Sequence, residues 1–572
     1  MRLRNILLIA GALAGTLVVG LLPTRGQAQW LFEHGAYYFL LALVSIWSLK
    51  AWALYGKSLK TLWRQHRTAL LLAVAVPVLI FFHSPPHFKI LADESNLIGV
   101  SMMMHSERIA AVPIEGIISD YSPPDITTTP TKRPLLFPFL VSLIHALIGY
   151  SPSNGFLLNF LVTVAALLFF ALAVSRLLGP PMALPSILLL ASAPILSFYV
   201  TGSGFEALNM LFLILTFIML VEVVTSEGDP ARVEMLFLTA LLLAQCRYES
   251  AIVLVLFALF LLYRLIRWKS LERLSAPGCL LPVFLLPVLW QRRMFMGLSE
   301  INRIDYGVLQ AQTSPFSWQY LINNIDDNLF VLIGLNPDYG FTFPLALMAL
   351  AGGYGLFRNA LRGQAPVVAP VVLATASATL LALLVIISAF FWGNFGLKMD
   401  NRLALVFLPF VAFAALCGLS QIQQRLRLNA RAIVIVLLMV HLVYFWPYAS
   451  GQRLINGLSL PFEYQRAVSY LQKTYPVDDQ LLIIAELPNL YIIQKYGAVN
   501  LNRLGRAEPW IRRQRQRFDH IIALQKIDNL TGEVTPSSFI GPPFQLSPRK
   551  NILISTGLSL RVSECRLPDD KR

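Results

Sequence analysis

Apolar runs of about 15 to 25 residues, separated by short polar stretches, fill most of the sequence. A run of roughly 20 residues is long enough to cross a bilayer as an α-helix. The mean hydropathy of +0.63 over 572 residues excludes a soluble globule. The pattern predicts an α-helical polytopic membrane protein with about thirteen transmembrane helices. The predicted spans are residues 4–22, 36–55, 68–82, 155–177, 183–200, 206–224, 234–247, 250–266, 279–291, 328–350, 366–391, 403–419 and 431–448.

The basic residues predict how these helices are oriented. The net charge is +15, and much of it lies in short loops between spans, where Lys and Arg mark the cytoplasmic side. This placement argues against nucleic-acid binding. The first segment is predicted to be an uncleaved anchor with its N-terminus in the cytoplasm, although GQAQ resembles a signal-peptide cleavage site. The basic stretch 57–67 is then cytoplasmic, and the chain leaves the third span at His83 on the outer side.

The apolar piece LLFPFLVSLIHALIGY, residues 135–150, is short and contains Pro138. Counting it as a span would place the basic stretches 264–273, 359–362 and 424–431 outside the cell. It is therefore predicted to be a re-entrant or surface helix, which is tolerable where it lines a protein-buried cavity. His145 on this piece is predicted to be a packed or cavity-lining residue.

The composition becomes polar from about Ser450. An amphipathic helical pattern (PFEYQRAVSYLQKTY) precedes strand-like QLLIIAE, helix-like PNLYIIQKYG, and strand-like FDHIIALQKI and NILISTGLSLRV. This predicts two domains: a multispan transmembrane domain at residues 1–449 and a small C-terminal α/β domain at residues 450–572. An odd number of spans places the C-terminal domain outside the membrane.

The loop at residues 83–134 is the candidate catalytic segment, because connections of about fifty residues usually have a function. Asp93 and Glu94 begin a stretch predicted to form a helix on the membrane surface. An acidic residue there is also an ordinary helix cap, and this alternative stays open. The loop ends in Lys132-Arg133-Pro134. A carboxylate that takes a proton and cations that hold a phosphate suit displacement of a phosphate leaving group by a hydroxyl.

These residues carry a resemblance to a known group of enzymes. The order of a span, Asp93-Glu94, a surface helix and KRPLLFPFLVSLIHALIGYSPSN resembles the polytopic C-type glycosyltransferase superfamily. Within it, the sequence is most similar to the protein mannosyltransferase and lipid A aminoarabinose transferase family. Weaker similarity extends through SAPILSFYVTGSGFEALNML, CRYES and DNRLALVFLP, and so covers roughly residues 1–450.

The resemblance implies a membrane glycosyltransferase of the cell inner (plasma) membrane. It would move a sugar from a polyprenyl-phosphate donor to an acceptor hydroxyl of a glycolipid, polysaccharide or protein on the extracytoplasmic face, with inversion. Asp93 would be the general base, and Glu94 would position the acceptor or the surface helix. The alternatives are a transporter or flippase for a lipid-linked or anionic substrate, and a non-catalytic receptor or assembly protein. Cytoplasmic nucleotide-sugar chemistry is disfavoured, because the sequence has no P-loop, GxGxxG strand–helix turn or DxD.

Several outer-facing cations are predicted to bind the leaving phosphate. For Arg247 the alternative is an internal ion pair with Glu249 or Glu206, and for Arg402 it is snorkelling to the interface or pairing with Asp400. The predicted phosphate-binding cations are Lys132, Arg133, Arg247, Arg402, Arg292 and Arg293.

No cofactor is predicted, and a divalent metal ion is kept as an alternative. His83 and His87 are four residues apart, and Asp93, Glu94 and His105 are near them in the sequence. Two prolines between the first two histidines break the helical spacing that would align them. Some members of the superfamily use a divalent ion and others do not.

Overall fold

A computed structural model of the chain describes residues 2–117, 125–295, 316–362, 368–426, 429–440, 459–475, 481–513, 518–555 and 557–567. The chain divides into two compact units. Unit 1 comprises 1–87, 134–137 and 156–453, and unit 2 comprises 88–133, 138–155 and 454–572. The division after residue 453 lies outside the described residues, so the predicted domain boundary at 449/450 stays a prediction. The loop residues 88–133 differ from the prediction, because they group with the C-terminal residues and not with the membrane helices.

Unit 1 is built from α-helices and short 3₁₀ turns. Its helices are α1 (Arg2–Leu21), α2 (Arg25–Tyr55), α3 (Leu59–His83), α6 (Asn154–Leu178), α7 (Ala183–Ala191), α8 (Pro194–Val200), α9 (Glu206–Thr225), α10 (Pro230–Ala244), α11 (Ala251–Arg267), α12 (Ala276–Cys279), α13 (Leu286–Phe295), α14 (Trp318–Ile333), α15 (Phe343–Leu361), α16 (Pro370–Ser388), α17 (Leu408–Leu426) and α18 (Ala430–Val440). The first residues of α6 belong to unit 2, which also contains helices α4 and α5.

Seven helices in the described part of the chain are long and apolar enough to cross a membrane. Residues 180–191 and 194–200 form a further pair bent by 69°, which would make eight if it is one broken span. The chain is thus a multi-pass membrane protein, but the predicted count of thirteen is not confirmed. The seven spans are Arg4–Leu21, Arg25–Ser58, Arg64–His83, Asn154–Leu178, Glu206–Thr225, Pro370–Ser388 and Asn401–Gln423.

The predicted span at 328–350 is wrong, because a turn divides this run. Helix α14 ends at Ile333, and Gly334 follows in the left-handed conformation with φ of 73°. A side chain at Gly334 would collide with the backbone of Thr342, since a Cβ there would lie 2.3 Å from the Thr342 carbonyl carbon. Glycine adopts this conformation without steric cost, so it ends the helix, and Asn336-Pro337-Asp338 form a turn before the next helix. The predicted span 279–291 is likewise divided between α12, a 3₁₀ turn and α13.

Unit 2 is an α/β unit around one seven-stranded sheet. Its helices are α4 (Leu91–Ser106), α5 (Leu136–Ile148), α19 (Ser459–Thr474), α20 (Asn489–Ile492) and α21 (Leu504–Arg513). Its strands are β1 (Ala111–Ile117), β2 (Asp125–Pro130), β3 (Leu481–Ala485), β4 (Gly497–Asn500), β5 (His520–Asp528), β6 (Gln545–Ser555) and β7 (Leu558–Arg566). The helix, strand, helix and strand predicted before residue 530 are confirmed. The single strand predicted from NILISTGLSLRV is instead a hairpin of β6 and β7.

The sheet has the order β2-β1-β4-β3-β5-β7-β6. Strands β4, β3 and β5 are parallel, and every residue of β3 is buried, as expected for a strand covered on both faces. Strands β1 and β2 come from the loop that precedes α5, and β1 pairs antiparallel with β4 through Gly116 and Ala498. A hydrogen bond from the Asn500 backbone N–H to Glu115 Oε1, at 3.2 Å, supports this pairing. The loop and the C-terminal segment therefore lie on the same side of any membrane that the helices cross.

Helix α5 has 13 residues, with Leu136 as its first and Ile148 as its last. At 1.5 Å per residue it is about 20 Å long, shorter than the hydrocarbon core of about 30 Å. This length agrees with the prediction of a re-entrant or surface helix at 135–150.

Candidate functional site

The first turn of α4 holds both predicted catalytic carboxylates, Asp93 and Glu94. Asp93 is only 5% exposed and forms an ion pair with Arg133. Arg133 follows the end of β2, and its backbone N–H donates to Thr131 Oγ1 at 3.1 Å. The β1–β2 hairpin thus returns the chain to the start of α4. The structure brings together one carboxylate and one cation of the predicted site, although 39 residues separate them in the sequence.

Glu94 has a different set of contacts from Asp93. Its Oε2 accepts hydrogen bonds from the backbone N–H of Lys89 and, at 3.2 Å, from that of Ile90. Ile90 is the residue before the helix and has no capping side chain. Backbone amides at a helix N-terminus need such acceptors, and a carboxylate there is also favoured by the helix dipole. The cap interpretation therefore applies to Glu94, whereas the Asp93 carboxylate faces a cation.

Lys89 is a buried lysine that the sequence analysis did not single out. Its side chain is 1% exposed, close to the Glu94 carboxylate. Burial lowers the pKa of Lys89 to about 7, and the negative charge of Glu94 opposes that shift. The N-terminal end of α4 thus contains an amine that changes its charge near neutral pH.

The stability of the protein should rise with pH because of Lys89. The unfolded chain, with a lysine pKa of 10.5, binds more protons at this residue than the folded protein above pH 7. The free energy of unfolding should therefore rise from about pH 7 to pH 10, by up to about 1.4 kcal/mol per pH unit, and this contribution should be flat below pH 7. The free energy of unfolding of Lys89→Met, measured by thermal unfolding, should not show this rise between about pH 7 and pH 10. Lys550→Met, which changes an exposed lysine of the same unit, should keep it; identical profiles for wild type and Lys89→Met would contradict the expectation.

Close packing fixes α4 on the sheet. A Cβ at Gly99 would lie 2.8 Å from Pro113 Cδ on β1, so only glycine permits this approach of helix and strand. Asn489 at the start of α20 donates to Asn96 Oδ1 at 2.8 Å. The turn that carries Asp93 is therefore held in place both by the loop, through β1, and by the C-terminal segment, through α20.

His145 joins α4 to α5 in a buried hydrogen-bond chain. Asn154 Nδ2 donates to His145 Nδ1 at 2.8 Å and to the Gly149 carbonyl at 2.8 Å. His145 Nε2 therefore carries the proton and donates to Ser101 Oγ at 3.0 Å, while Ser101 donates to the Ile98 carbonyl at 2.7 Å.

This arrangement excludes Ser101 as a nucleophile activated by His145, because a general base must accept the serine proton. Burial, with a smaller effect of His105, lowers the pKa of His145 to about 4, so the ring is neutral at physiological pH. His145 is a packed, hydrogen-bonded residue, as the sequence predicts.

Unit 1 contains a second group of charged side chains, around Glu206 in the first turn of α9. Glu206 is 5% exposed, and its Oε1 lies 3.2 Å from Arg247 Nη1 and 3.5 Å from Arg402 Nη1. Arg247 also pairs with Glu249 and stacks on the Phe205 ring, 4.8 Å from its centroid. The internal ion pair that the sequence left open for Arg247 is present. Arg402 shares the same carboxylate, which the sequence did not predict as its partner.

The remaining predicted cations lie elsewhere. Arg292 and Arg293 are in the last turn of α13, where Arg293 Nε donates to the Pro23 carbonyl at 2.9 Å. Lys132 precedes Arg133 in unit 2 and is partly buried. In the described part of the chain, no group of three or more His, Cys, Asp or Glu side chains is arranged to hold a metal ion.

The sequence analysis did not identify several buried side chains of these two sites, namely Lys89, Glu206 and the hydrogen-bonded pair of Ser101 and His145. Lys89 was not considered as a member of the site, and Glu206 was considered only as a partner for Arg247. A signal for Glu206 existed, since a carboxylate opening an apolar span is costly without a buried cation. The Ser101–His145 contact left no local signal, because the two residues lie on different helices.

Comparisons with known proteins give similarity only at the level of three-dimensional structure. No protein-family model matches the chain, and no curated protein matches it. ArnT from Cupriavidus metallidurans, solved bound to undecaprenyl phosphate, is similar with a TM-score of 0.47 and 13% identity over 86% of this chain and 97% of that chain. An oligosaccharyltransferase from Archaeoglobus fulgidus, tethered to an acceptor peptide, gives a TM-score of 0.43 and 11% identity over 80% of this chain and 68% of that chain.

The arabinosyltransferase EmbB from Mycobacterium smegmatis gives a TM-score of 0.38 and 11% identity, with 75% of this chain covering 42% of that chain. All three proteins are glycosyltransferases of the C-type superfamily that the sequence resembles. At this level of similarity we take no substrate, residue role or mechanism from them, and derive these from the residues of this chain.

Proposed function

We propose that the protein is a membrane glycosyltransferase that moves a sugar from a polyprenyl-phosphate donor to an acceptor hydroxyl. The observation that carries this proposal is the ion pair of the buried Asp93 carboxylate with the partly exposed Arg133. It places a proton acceptor beside a cation in the loop that follows a membrane span. A transfer of this kind needs both groups: a base for the acceptor and a positive charge for the departing phosphate.

The reaction proposed is a single displacement at the anomeric carbon. The acceptor oxygen forms a bond to this carbon while its proton passes to the Asp93 carboxylate. The bond from the carbon to the phosphate oxygen breaks, and its electron pair stays on the polyprenyl phosphate. Glu94 takes no direct part, because its carboxylate binds backbone amides. With one carboxylate available in the turn, the expected outcome is inversion.

Arg133 connects the two halves of this reaction. Its side chain is 36% exposed, whereas that of Asp93 is 7% exposed, so an incoming phosphate reaches the guanidinium more easily than the carboxylate. Guanidinium groups bind phosphate as well as carboxylate through paired N–H donors. We propose that the donor phosphate draws Arg133 away from Asp93. Without the guanidinium beside it, the Asp93 carboxylate is a stronger base when the donor is bound.

The other predicted cations have different roles in this proposal. Lys132 adjoins Arg133 and adds charge to the same segment. Arg402 has the longer contact to Glu206, at 3.5 Å, and is the better phosphate ligand of the second group. Arg247 is enclosed by two carboxylates and an aromatic ring, which suits a positioning role for Arg402 and α9. Arg292 and Arg293 remain proposed contacts for the anionic part of the donor.

The proposed location is the cell inner membrane, with the N-terminus in the cytoplasm and unit 2 outside. The basic loops support this orientation through the positive-inside bias. The shared sheet of the β1–β2 hairpin and the C-terminal strands supports placing the loop and the C-terminal residues together. The acceptor is a glycolipid, polysaccharide or protein. We propose no resident metal ion, because arginine side chains supply the positive charge.

Carrier turnover tests the proposal. Purified protein in liposomes, given a panel of polyprenyl-phosphate sugars and membrane-extract acceptors, should release free polyprenyl phosphate from at least one donor, with and without EDTA. A transporter would move the labelled donor across the bilayer and leave it chemically unchanged. Intact donor with every member of the panel would therefore contradict the proposed function, and turnover lost with EDTA would contradict the absence of a metal.

A further inference from the structure

A pocket in unit 2 lies where the topology of the sheet reverses. From β3 the chain passes through α20 to β4 on one side, and from β4 it passes through α21 to β5 on the other side of β3. The carboxyl ends of the parallel strands β3 and β5 therefore border a switch point. In open α/β sheets such crevices are the usual place of ligand binding. The pocket is lined there by Ala485 and Glu486 at the end of β3 and by Leu524 and Lys526 of β5.

The polar wall of this pocket is formed by the ion pair of Glu486 and Lys526, which together carry no net charge. Glu486 Oε2 accepts from Lys526 Nζ at 2.7 Å, and Glu486 Oε1 accepts from Ser538 Oγ at 2.7 Å and from Ser537 Oγ at 2.9 Å. Burial alone would raise the pKa of Glu486, but these hydrogen bonds outweigh it and lower the pKa. Glu486 and Lys526 are each about one-fifth exposed, at 21% and 20%, so a ligand can reach both.

The remaining wall is apolar and aromatic. Leu91, Leu490 and Leu560 line it together with Tyr464 and Tyr491, whose rings are 6.4 Å apart. The pocket is partly open and has a volume of about 20 Å³, which is room for one hydroxyl-sized group of a ligand whose remainder lies at the opening. An apolar wall beside a few placed polar groups is the usual character of a small-molecule site.

The chemistry of the wall selects a neutral hydroxyl-bearing ligand. A carboxylate accepts a hydrogen bond and an ammonium donates one, and a sugar hydroxyl does both. An anionic ligand would compete with Glu486 for Lys526 and leave the carboxylate without its cation. A sugar hydroxyl instead donates to Glu486 and accepts from Lys526 beside the intact ion pair, while the C–H face of the ring lies on the apolar wall.

We propose that this pocket is a subsite for a neutral sugar unit of the acceptor, remote from the hydroxyl that reacts. The inference rests on the proposed glycosyltransferase function. Leu91 lines the pocket and lies in the same first turn of α4 as Asp93, but the two side chains are about 200° apart around the helix axis. A sugar in the pocket is therefore on the opposite face of α4 from the base. The acceptor must be longer than one sugar to reach both.

Saturation-transfer NMR on the full-length protein in detergent tests this site. The probes are methyl glycosides of glucose, galactose, mannose and N-acetylglucosamine and the disaccharides maltose and lactose, with glucose 6-phosphate as the anionic comparison. Wild type should transfer saturation to at least one neutral sugar and not to the phosphate. Lys526→Gln should weaken that binding roughly tenfold or more, because it removes a hydrogen bond to a charged group.

Two serines give a matched pair of variants. Both hydroxyls donate to Glu486 Oε1, but only Ser538 lines the pocket. Ser538→Ala should weaken sugar binding about two- to tenfold, and Ser537→Ala should leave it within about twofold. This pair keeps the test valid if Lys526→Gln fails to fold. Equal effects of the two serine variants, or no binding of any neutral sugar by wild type, would overturn the inference.

Carrier turnover separates this inference from the proposed function. Release of polyprenyl phosphate by a wild type that binds no sugar would refute the pocket alone. Sugar binding that depends on Ser538, without carrier turnover, would refute the proposed function and leave a sugar site in unit 2.

Discussion

Replacement of Asp93 by asparagine should reduce transfer to the acceptor by about 10²- to 10⁴-fold in kcat, the usual contribution of a general base. Asparagine keeps the size of the side chain and an oxygen that accepts from Arg133, so the first turn of α4 should remain folded. It cannot take the acceptor proton. Steady-state release of polyprenyl phosphate, measured with saturating donor and acceptor, checks the prediction.

Two further carboxylates, one in α4 and one just after it, serve as controls for Asp93. Glu107→Gln changes an exposed carboxylate just after the same helix and should leave kcat within about twofold. Glu94→Gln weakens the cap on two backbone amides and should lower stability by about 1 kcal/mol, with a smaller effect on kcat than Asp93→Asn. Full turnover by Asp93→Asn would remove Asp93 from the role of base.

Replacement of Glu206 by glutamine should destabilise unit 1 by about 1–3 kcal/mol, because the buried Arg247 and the half-buried Arg402 lose their shared carboxylate. Arg247 retains its ion pair with Glu249 in this variant, so its charge stays balanced. The midpoint of thermal unfolding in detergent, compared with Asp326→Asn at an exposed acid of the same unit, measures the effect.

A double-mutant cycle isolates the ionic part of this loss. Arg402→Gln added to Glu206→Gln also removes a cation that faces the Glu206 carboxylate, so the double variant should be less destabilised than the sum of the two single variants. Additive effects would show that Glu206 and Arg402 do not stabilise each other.

The sequence predicted much of what depends on local pattern. Long apolar runs indicated the membrane helices, and alternating and helical patterns after residue 450 indicated β3, β5 and α19. The run at 328–350 misled the prediction, because hydropathy does not register the backbone conformation of Gly334. The same limit applies to α12 and α13, where the chain stays apolar while the helix is interrupted.

Pairing between distant segments was beyond the local pattern. Nothing in the sequence near Gly116 indicates that β1 pairs with β4, because Ala498 is almost four hundred residues away. The loop was therefore assigned to the membrane domain, although the structure places it in the unit of the C-terminal strands. Asp93 and Arg133 were assigned to one site from the chemistry that a transferase needs; the structure shows an ion pair between them, and their roles are a proposal.

The sequence contained a signal for the pocket at the ends of β3 and β5, which the prediction did not use. Both QLLIIAE and HIIALQKI place a charged residue at the end of an apolar strand-like run. Since the carboxyl ends of parallel strands meet at one edge of a sheet, Glu486 and Lys526 were candidates for neighbours. To predict that Glu486 and Lys526 are neighbours, one must know that β3 and β5 are adjacent and parallel, which only the structure shows.

The anomeric configuration of the transfer product tests the central claim most directly. If Asp93 is the only carboxylate that acts, the acceptor displaces the phosphate in one step, and NMR of the product should show a configuration opposite to that of the donor. Retention of the donor configuration would require two displacements and a second nucleophile, as in retaining glycosidases, and would contradict the account.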